Sequence, residues 1–139
     1  MMERPLITRD DVLQLHAEGI RRWGGKHSSK RLDSGDCVDG RIGNAASAEV
    51  YASDDERIRP GLRFAGFLLF YLASDHCFGD GNKRVAWMAA MQVLADQGLT
   101  VEAPEDDTYA FMDSVAKGEI KRGQDVVTWL AERLIAPEI

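Results

Sequence analysis

The sequence predicts an all-α fold: a single domain spanning residues 1–139, with about six helices around a central buried pair and a long exposed loop near its start. Three observations predict it. No stretch alternates apolar and polar residues with a period of two, whereas several repeat apolar residues at helical spacing. Two segments, "LRFAGFLLFYLA" from Leu62 to Ala73 and "VAWMAAMQVLA" from Val85 to Ala95, are apolar nearly all the way round, the mark of helices buried on every side. The chain of 139 residues, 45% apolar and 29% charged, has the size and balance of one self-sufficient soluble domain that needs no metal or disulfide to close its core.

The elements follow in order. Thr8 with Asp11 three residues on has the form of an N-cap with its acidic partner, and Val12, Leu13, Leu15, His16 and Ile20 then recur at helical spacing, so a first helix is expected from about Thr8 to Trp23. "GGKHSSKRLDSGD", residues 24–36, carries glycines, serines and charges with one apolar anchor, Leu32. It reads as an exposed loop with room for a small hairpin, of a length often tied to function. A weakly patterned second helix follows from about Asp36 to Tyr51. "SDDERIRP" then brings acids and a proline ahead of the first central helix, where carboxylates suit the positive dipole end.

Gly98 is placed to terminate the second central helix. Pro104 followed by "EDD" opens a fifth helix that turns Tyr109, Phe111, Met112 and Val115 inward and stops near Gly118. A sixth, from about Gln124 to Ile135, carries Val126, Val127, Trp129, Leu130 and Leu134. Trp23, Trp87, Trp129 and the methionines read as core. His16 reads as a residue of the surface or rim of the first helix, and His27 as a loop residue; they form no metal-ligand cluster.

Charge and cysteine content narrow the function classes. A formal net charge of −6 and a pI near 5.0 give no positive field to gather nucleic-acid phosphates or anionic lipid, so neither nucleic acid nor membrane is an expected partner. The start "MMERPLITRDD" lacks the apolar core of a signal peptide and no stretch suffices to span a bilayer, so the expected location is cytoplasmic. Cys37 and Cys77, forty positions apart with no CxxC spacing, read as buried or indifferent thiols.

Between the two central helices stands "DHCFGDGNKR", residues 75–84. A plain connector needs one or two turn residues; this one adds an imidazole, a carboxylate, an amide, an ammonium and a guanidinium on the most rigid scaffold in the chain. Those are the parts of a phosphate-transfer site. Gly79 and Gly81 let the backbone curl so that unpaired N–H groups converge at the start of the next helix, near Asn82, an anion pocket. Arg84 in that first turn offers a planar fork for phosphate oxygens, with Lys83 a point charge beside it. Asp80, close to the expected phosphates, calls for a bridging magnesium ion. His76 can accept a proton from a hydroxyl near neutral pH. Phe78 packs under the turn in any reading. A polar turn serving only its own backbone accounts for "DGN" but leaves His76, Lys83 and Arg84 without a purpose.

"HCFGDGNKR" resembles the signature of the Fic/Doc family, HxFx(D/E)GN(G/K)R, at every fixed position. Where the adenylylating branch has glycine, this chain has Lys83, as the death-on-curing toxin branch does. The resemblance extends loosely to "LQLHAEGIRRWGG", "DSGDCVDGRI" and "LADQGL". Ser74 and Asp75 stand before His76 where the toxin branch has a basic residue. The resemblance implies an all-α Fic fold and, for the toxin branch, transfer of the ATP γ-phosphate to a threonine of elongation factor Tu. His76 would be the general base, Asp80 a contact to Mg2+, and Asn82, Lys83 and Arg84 the phosphate clamp, assisted by the N–H groups of Gly79 and Gly81. "GGKHSSKR" would be the flap that holds the target chain.

Lysine supplies a reason for the difference between branches, since it fills the space of a nucleotide α-phosphate and lets ATP bind the other way round. The inhibitory helix (S/T)xxxE(G/N) of many relatives does not fit here: Glu18-Gly19 has Gln14 at the hydroxyl position, and Glu132 precedes Arg133. A separate antitoxin is therefore the implied restraint. Two other readings stay open: adenylylation of a protein hydroxyl by the same residues, and a non-catalytic subunit whose loop binds a phosphate or a peptide.

Overall fold

The computed structural model describes residues 6–24, 33–51 and 61–135. Six helices run in order, α1 (Arg9–Trp23), α2 (Ser34–Tyr51), α3 (Leu62–Asp75), α4 (Asn82–Asp96), α5 (Glu105–Ala116) and α6 (Gly123–Glu132), with two short strands, β1 (Thr100–Val101) and β2 (Leu134–Ile135). The all-α expectation holds. The expected flap, the hairpin within it, His27, Leu32 and the acidic run before α3 lie outside the described residues.

Helix starts and stops follow local chemistry. Thr8 and Asp11 form a reciprocal capping box: the Asp11 amide donates to Thr8 Oγ1, and the Thr8 amide donates to Asp11 Oδ2. Pro104 precedes three acids in the first turn of α5, and Gly98 and Gly118 take left-handed conformations just after α4 and α5. α3 begins differently. Its N-cap, Gly61, has no capping side chain, and the carboxylate of Glu49 on α2 accepts from the amides of Gly61 and Phe64 instead. The cap comes from a neighbouring helix, a partnership that no local spacing announces.

α3 is the axis of the domain, packed by α2, α4, α5 and α6. Leu68, Leu69, Leu72 and Ala73 of α3 and Val85, Ala86, Ala89, Ala90, Val93 and Leu94 of α4 are buried, which establishes the central pair. α6 approaches α3 so closely at Gly66 that a Cβ there would lie 2.5 Å from Val127 Cγ2 and 3.0 Å from its Cα. Only glycine permits that approach. Phe111 stacks on Trp129, with ring centroids 3.9 Å apart, and Trp87 meets Trp129 edge-on.

Four sequence expectations give way. α6 stops at Glu132, and Leu134–Ile135 pair antiparallel with Thr100–Val101, because two residues are too few to show alternation. Tyr109 and Trp23 are 70% and 54% exposed rather than core, each drawn to a cation described below. His16 is buried, not on the rim. Finally, Cys37 and Cys77 form a disulfide, their Cα atoms 5.5 Å apart.

That disulfide belongs to a row of links along one face of α2. Ser34 Oγ donates to the carbonyl of Cys77 at 2.8 Å, Cys37 bonds Cys77, and Arg41 pairs with Asp75. Three positions at helical spacing thus fasten α2 to the end of α3 and to the residue after His76. Among the described residues no helix is long and apolar enough to cross a membrane.

Candidate active site

The loop from His76 to Gly81 is closed from within and seated from outside. Within, the Asn82 side chain turns back on Phe78: its Oδ1 accepts from the Phe78 amide at 3.1 Å, and its Nδ2 donates to the Phe78 carbonyl at 2.9 Å. What Asn82 offers to the open side is therefore its backbone N–H. Phe78 is 2% exposed and anchors the turn as its apolar character implied.

From outside, α1 seats the loop with residues one turn apart on a single face, His16, Gly19, Ile20 and Trp23. The His16 ring stacks on Phe78 with centroids 3.7 Å apart and planes 10° from parallel. Its Nε2 lies 2.8 Å from the Asp80 carbonyl oxygen. Gly81 fits against the same ring and Ile20: a Cβ on it would sit 3.4 Å from His16 Nε2 and 3.3 Å from Ile20 Cδ1. Its φ of 78° adds a second reason for glycine.

Arg84 reaches the C-terminal end of α1. Its Nη1 donates to the carbonyls of Gly19 at 3.0 Å and Gly24 at 3.2 Å, and its guanidinium carbon lies 5.3 Å from the centroid of Trp23, which also faces Arg22. Helix carbonyl ends carry partial negative charge, so the guanidinium is held there in a fixed orientation. The exposure of Trp23 follows from this, since its face attends two cations at the rim.

Lys83 crosses to α5. Its Nζ is 3.3 Å from Asp113 Oδ1 and 5.3 Å from the centroid of Tyr109. Asp113 also takes Lys117 at 2.7 Å. The Lys117 ammonium, hydrogen-bonded to the carboxylate, holds Asp113 below the usual carboxylate range; partial burial opposes this, and Lys83 adds to it. The same bond raises Lys117 above its ordinary value.

His76 ends α3 in a left-handed conformation, φ 52° and ψ 55°, the only non-glycine residue with positive φ among the described residues. Its imidazole is exposed while the next side chain, Cys77, is fully buried, so the two point apart. His76, Gly79, Asp80 and the start of α4 line one wall of a 920 Å³ cleft; Tyr109, Asp113 and Lys117 of α5 line the other. All the motif residues except Phe78 and Cys77 face it.

The floor of the cleft is the N-terminus of α4. Its N-cap, Gly81, offers no capping side chain, and the amides of the first turn, 82–84, have no acceptor within the helix, while the Gly81 amide donates to Asp80 Oδ1 at 2.8 Å. First-turn amides with a lysine and an arginine on the same turn have the chemistry that suits an anion. Among the described residues no cluster of three or more His, Cys, Asp or Glu could hold a metal by protein ligands alone. A magnesium ion needs less: one carboxylate with phosphate oxygens and water suffices, and Asp80, facing the cleft beside the amides, fits that donor set.

A sequence model of the Fic/DOC family matches residues 6–94, well over half of the chain. The match takes in α1 to α4, the loop and its seat; the α5 wall lies beyond it. No curated protein matches the chain.

Proposed function

The chain belongs to the Fic/DOC family, whose domains are typically transferases acting on proteins, and on that premise we propose that it is a toxin of the death-on-curing type. It would transfer the γ-phosphate of ATP to a hydroxyl of a target protein, elongation factor Tu by resemblance, and so arrest translation. One observation carries this reading. Lysine stands where adenylylating relatives have glycine, and its side chain lies across the cleft, between the α4 terminus and Asp113 of α5. A chain of that length and charge takes room that an α-phosphate would need, which favours ATP bound with its γ-phosphate at the reacting end.

In-line phosphoryl transfer asks mainly for positioning and charge neutralisation. The 82–84 amides hold phosphate oxygens, and Arg84, oriented by the Gly19 and Gly24 carbonyls, presents its remaining N–H groups to the same oxygens. His76 receives the proton of the attacking hydroxyl. Magnesium, when bound at Asp80, would neutralise charge on the phosphates. The exposure of His76 suits a base whose substrate is another protein. Restraint would come from a separate antitoxin.

The second reading is adenylylation by the same residues: the first-turn amides of α4 and the Arg84 fork suit an α-phosphate as well as a γ-phosphate by type, so Lys83 alone separates the two. Incubating the protein and a lysate with ATP labelled at either the α or the γ position separates the two. Label on a target from γ alone supports the kinase reading; label from α alone refutes it. If His76→Ala leaves target labelling and growth inhibition unchanged, the catalytic reading of the loop fails.

A further inference from the structure

We propose that His16 is the positioning residue of the phosphate pocket, a role that rests on the phosphate-transfer reading above. The Asp80 carbonyl oxygen can only accept, so the contact at 2.8 Å places the proton of His16 on Nε2. A trans peptide is planar, with C=O and N–H pointing in opposite directions. Fixing the Asp80 carbonyl against α1 therefore turns the amide of the same peptide unit, that of Gly81, away from α1. There it now meets Asp80 Oδ1. When the Asp80 carboxylate turns to a cation, that N–H is left pointing at the anion site, in line with those of 82–84.

The rest of the contacts agree with this role. His16 is 95% buried, and its ring meets three residues of the loop, Phe78, Asp80 and Gly81. A Cβ on Gly81 would lie in van der Waals contact with Nε2, 3.4 Å away, so this peptide and the imidazole are packed directly against one another. A phenylalanine could fill the same volume beside Phe78; the imidazole adds a donor, and that donor meets a backbone carbonyl in the loop that carries the site. His16 touches neither donor nor target: it acts by setting which way one amide points.

Two variants separate the hydrogen bond from the packing. His16→Phe keeps a flat ring on Phe78 and loses the donor; His16→Gln returns an N–H near the Nε2 position without the ring. With magnesium present, His16→Phe is expected to bind inorganic pyrophosphate about tenfold more weakly, the effect of one misdirected hydrogen bond to a charged group. The KM for ATP should rise by a similar factor with kcat within about twofold, and His16→Gln should recover most of the loss. In the wild type, a 15N imidazole spectrum should show the Nε2–H form, and the Gly81 amide resonance should move in His16→Phe even without ligand.

Wild-type affinity in a folded His16→Phe overturns the proposal, as does a His16→Gln that binds no better than His16→Phe. If neither variant folds, the wild-type spectrum decides: an Nδ1–H tautomer refutes the assignment. A wild type that binds neither pyrophosphate nor ATP refutes the transferase reading and the pocket with it. Altered binding in His16→Phe with a wild type that binds both leaves that reading standing and supports the role of His16.

Discussion

Reducing the Cys37–Cys77 bond should destabilise the domain by about 4 kcal/mol. The cross-link closes a loop across a sequence separation of 40. Chain-entropy reasoning gives a loop of roughly that length about 4 kcal/mol of stabilisation, exerted on the unfolded state. An unfolding entropy of about 2.1 cal/mol/K per residue, taken over 139 residues, converts this to a fall in Tm of about 13 °C. Calorimetric scans with and without dithiothreitol make the comparison. A Cys37→Ser/Cys77→Ser double variant should melt near the reduced wild type and ignore the reductant. A wild-type Tm that does not respond, or two thiols per chain titrated in denaturant without reductant, would show the reasoning wrong. The site should respond as well, because the bond ends at the neighbour of His76. After reduction the Ser34 hydrogen bond and the Arg41–Asp75 pair remain there, without the covalent link between them.

Three further outcomes are expected. Lys83→Gly should bring α-phosphate label onto the target, since it clears the space between α4 and Asp113; a variant that still transfers only γ-label would remove the steric explanation. Asp113, held below the usual carboxylate range chiefly by Lys117, contributes stability that is full above its unfolded value and is lost as pH falls through its lower folded value. Denaturant unfolding of wild type and Asp113→Asn should therefore differ at neutral pH and converge in strong acid; parallel curves at all pH values would deny the pair any role. Gly66→Ala sets a Cβ against the Val127 backbone, and overpacking of about 1–3 kcal/mol should exceed the roughly 1 kcal/mol gained in helix propensity, so a rise in denaturation midpoint would contradict the close α3–α6 approach.

Much of this architecture was legible in the sequence because its causes are local. Thr8 with Asp11, Pro104, Gly98 and Gly118 act within a turn of themselves, and the two all-apolar segments could only be central. The motif was legible for the same reason, as its chemistry is compressed into a few consecutive residues between buried helices. What escaped depends on partners far along the chain. Cys37 meets Cys77 because α2 lies along the end of α3, and Glu49 caps α3 from outside. His16 is polar by type yet buried, because a backbone carbonyl 64 positions away satisfies it. Tyr109 and Trp23 looked like core and stand at the rim instead, where Lys83 and Arg84 supply cations for their faces. Asp75, just before His76, finds its partner in Arg41 on α2, 34 positions earlier.

The left-handed backbone of His76 separates two kinds of loss that one substitution usually confounds. An L-residue in this region carries a penalty of about 1–2 kcal/mol that glycine avoids. His76→Gly should therefore fold at least as well as wild type and better than His76→Ala, while deleting the imidazole and leaving a vacancy open to solvent at the cleft wall. Free imidazole added to that variant can enter the vacancy and take up the proton in place of the lost side chain. Transfer that returns in proportion to added imidazole in His76→Gly, and less in the more crowded His76→Ala, would assign the missing step to proton removal. No return in either would place the function of His76 elsewhere. The conformation that ends α3 thus makes this histidine a detachable part.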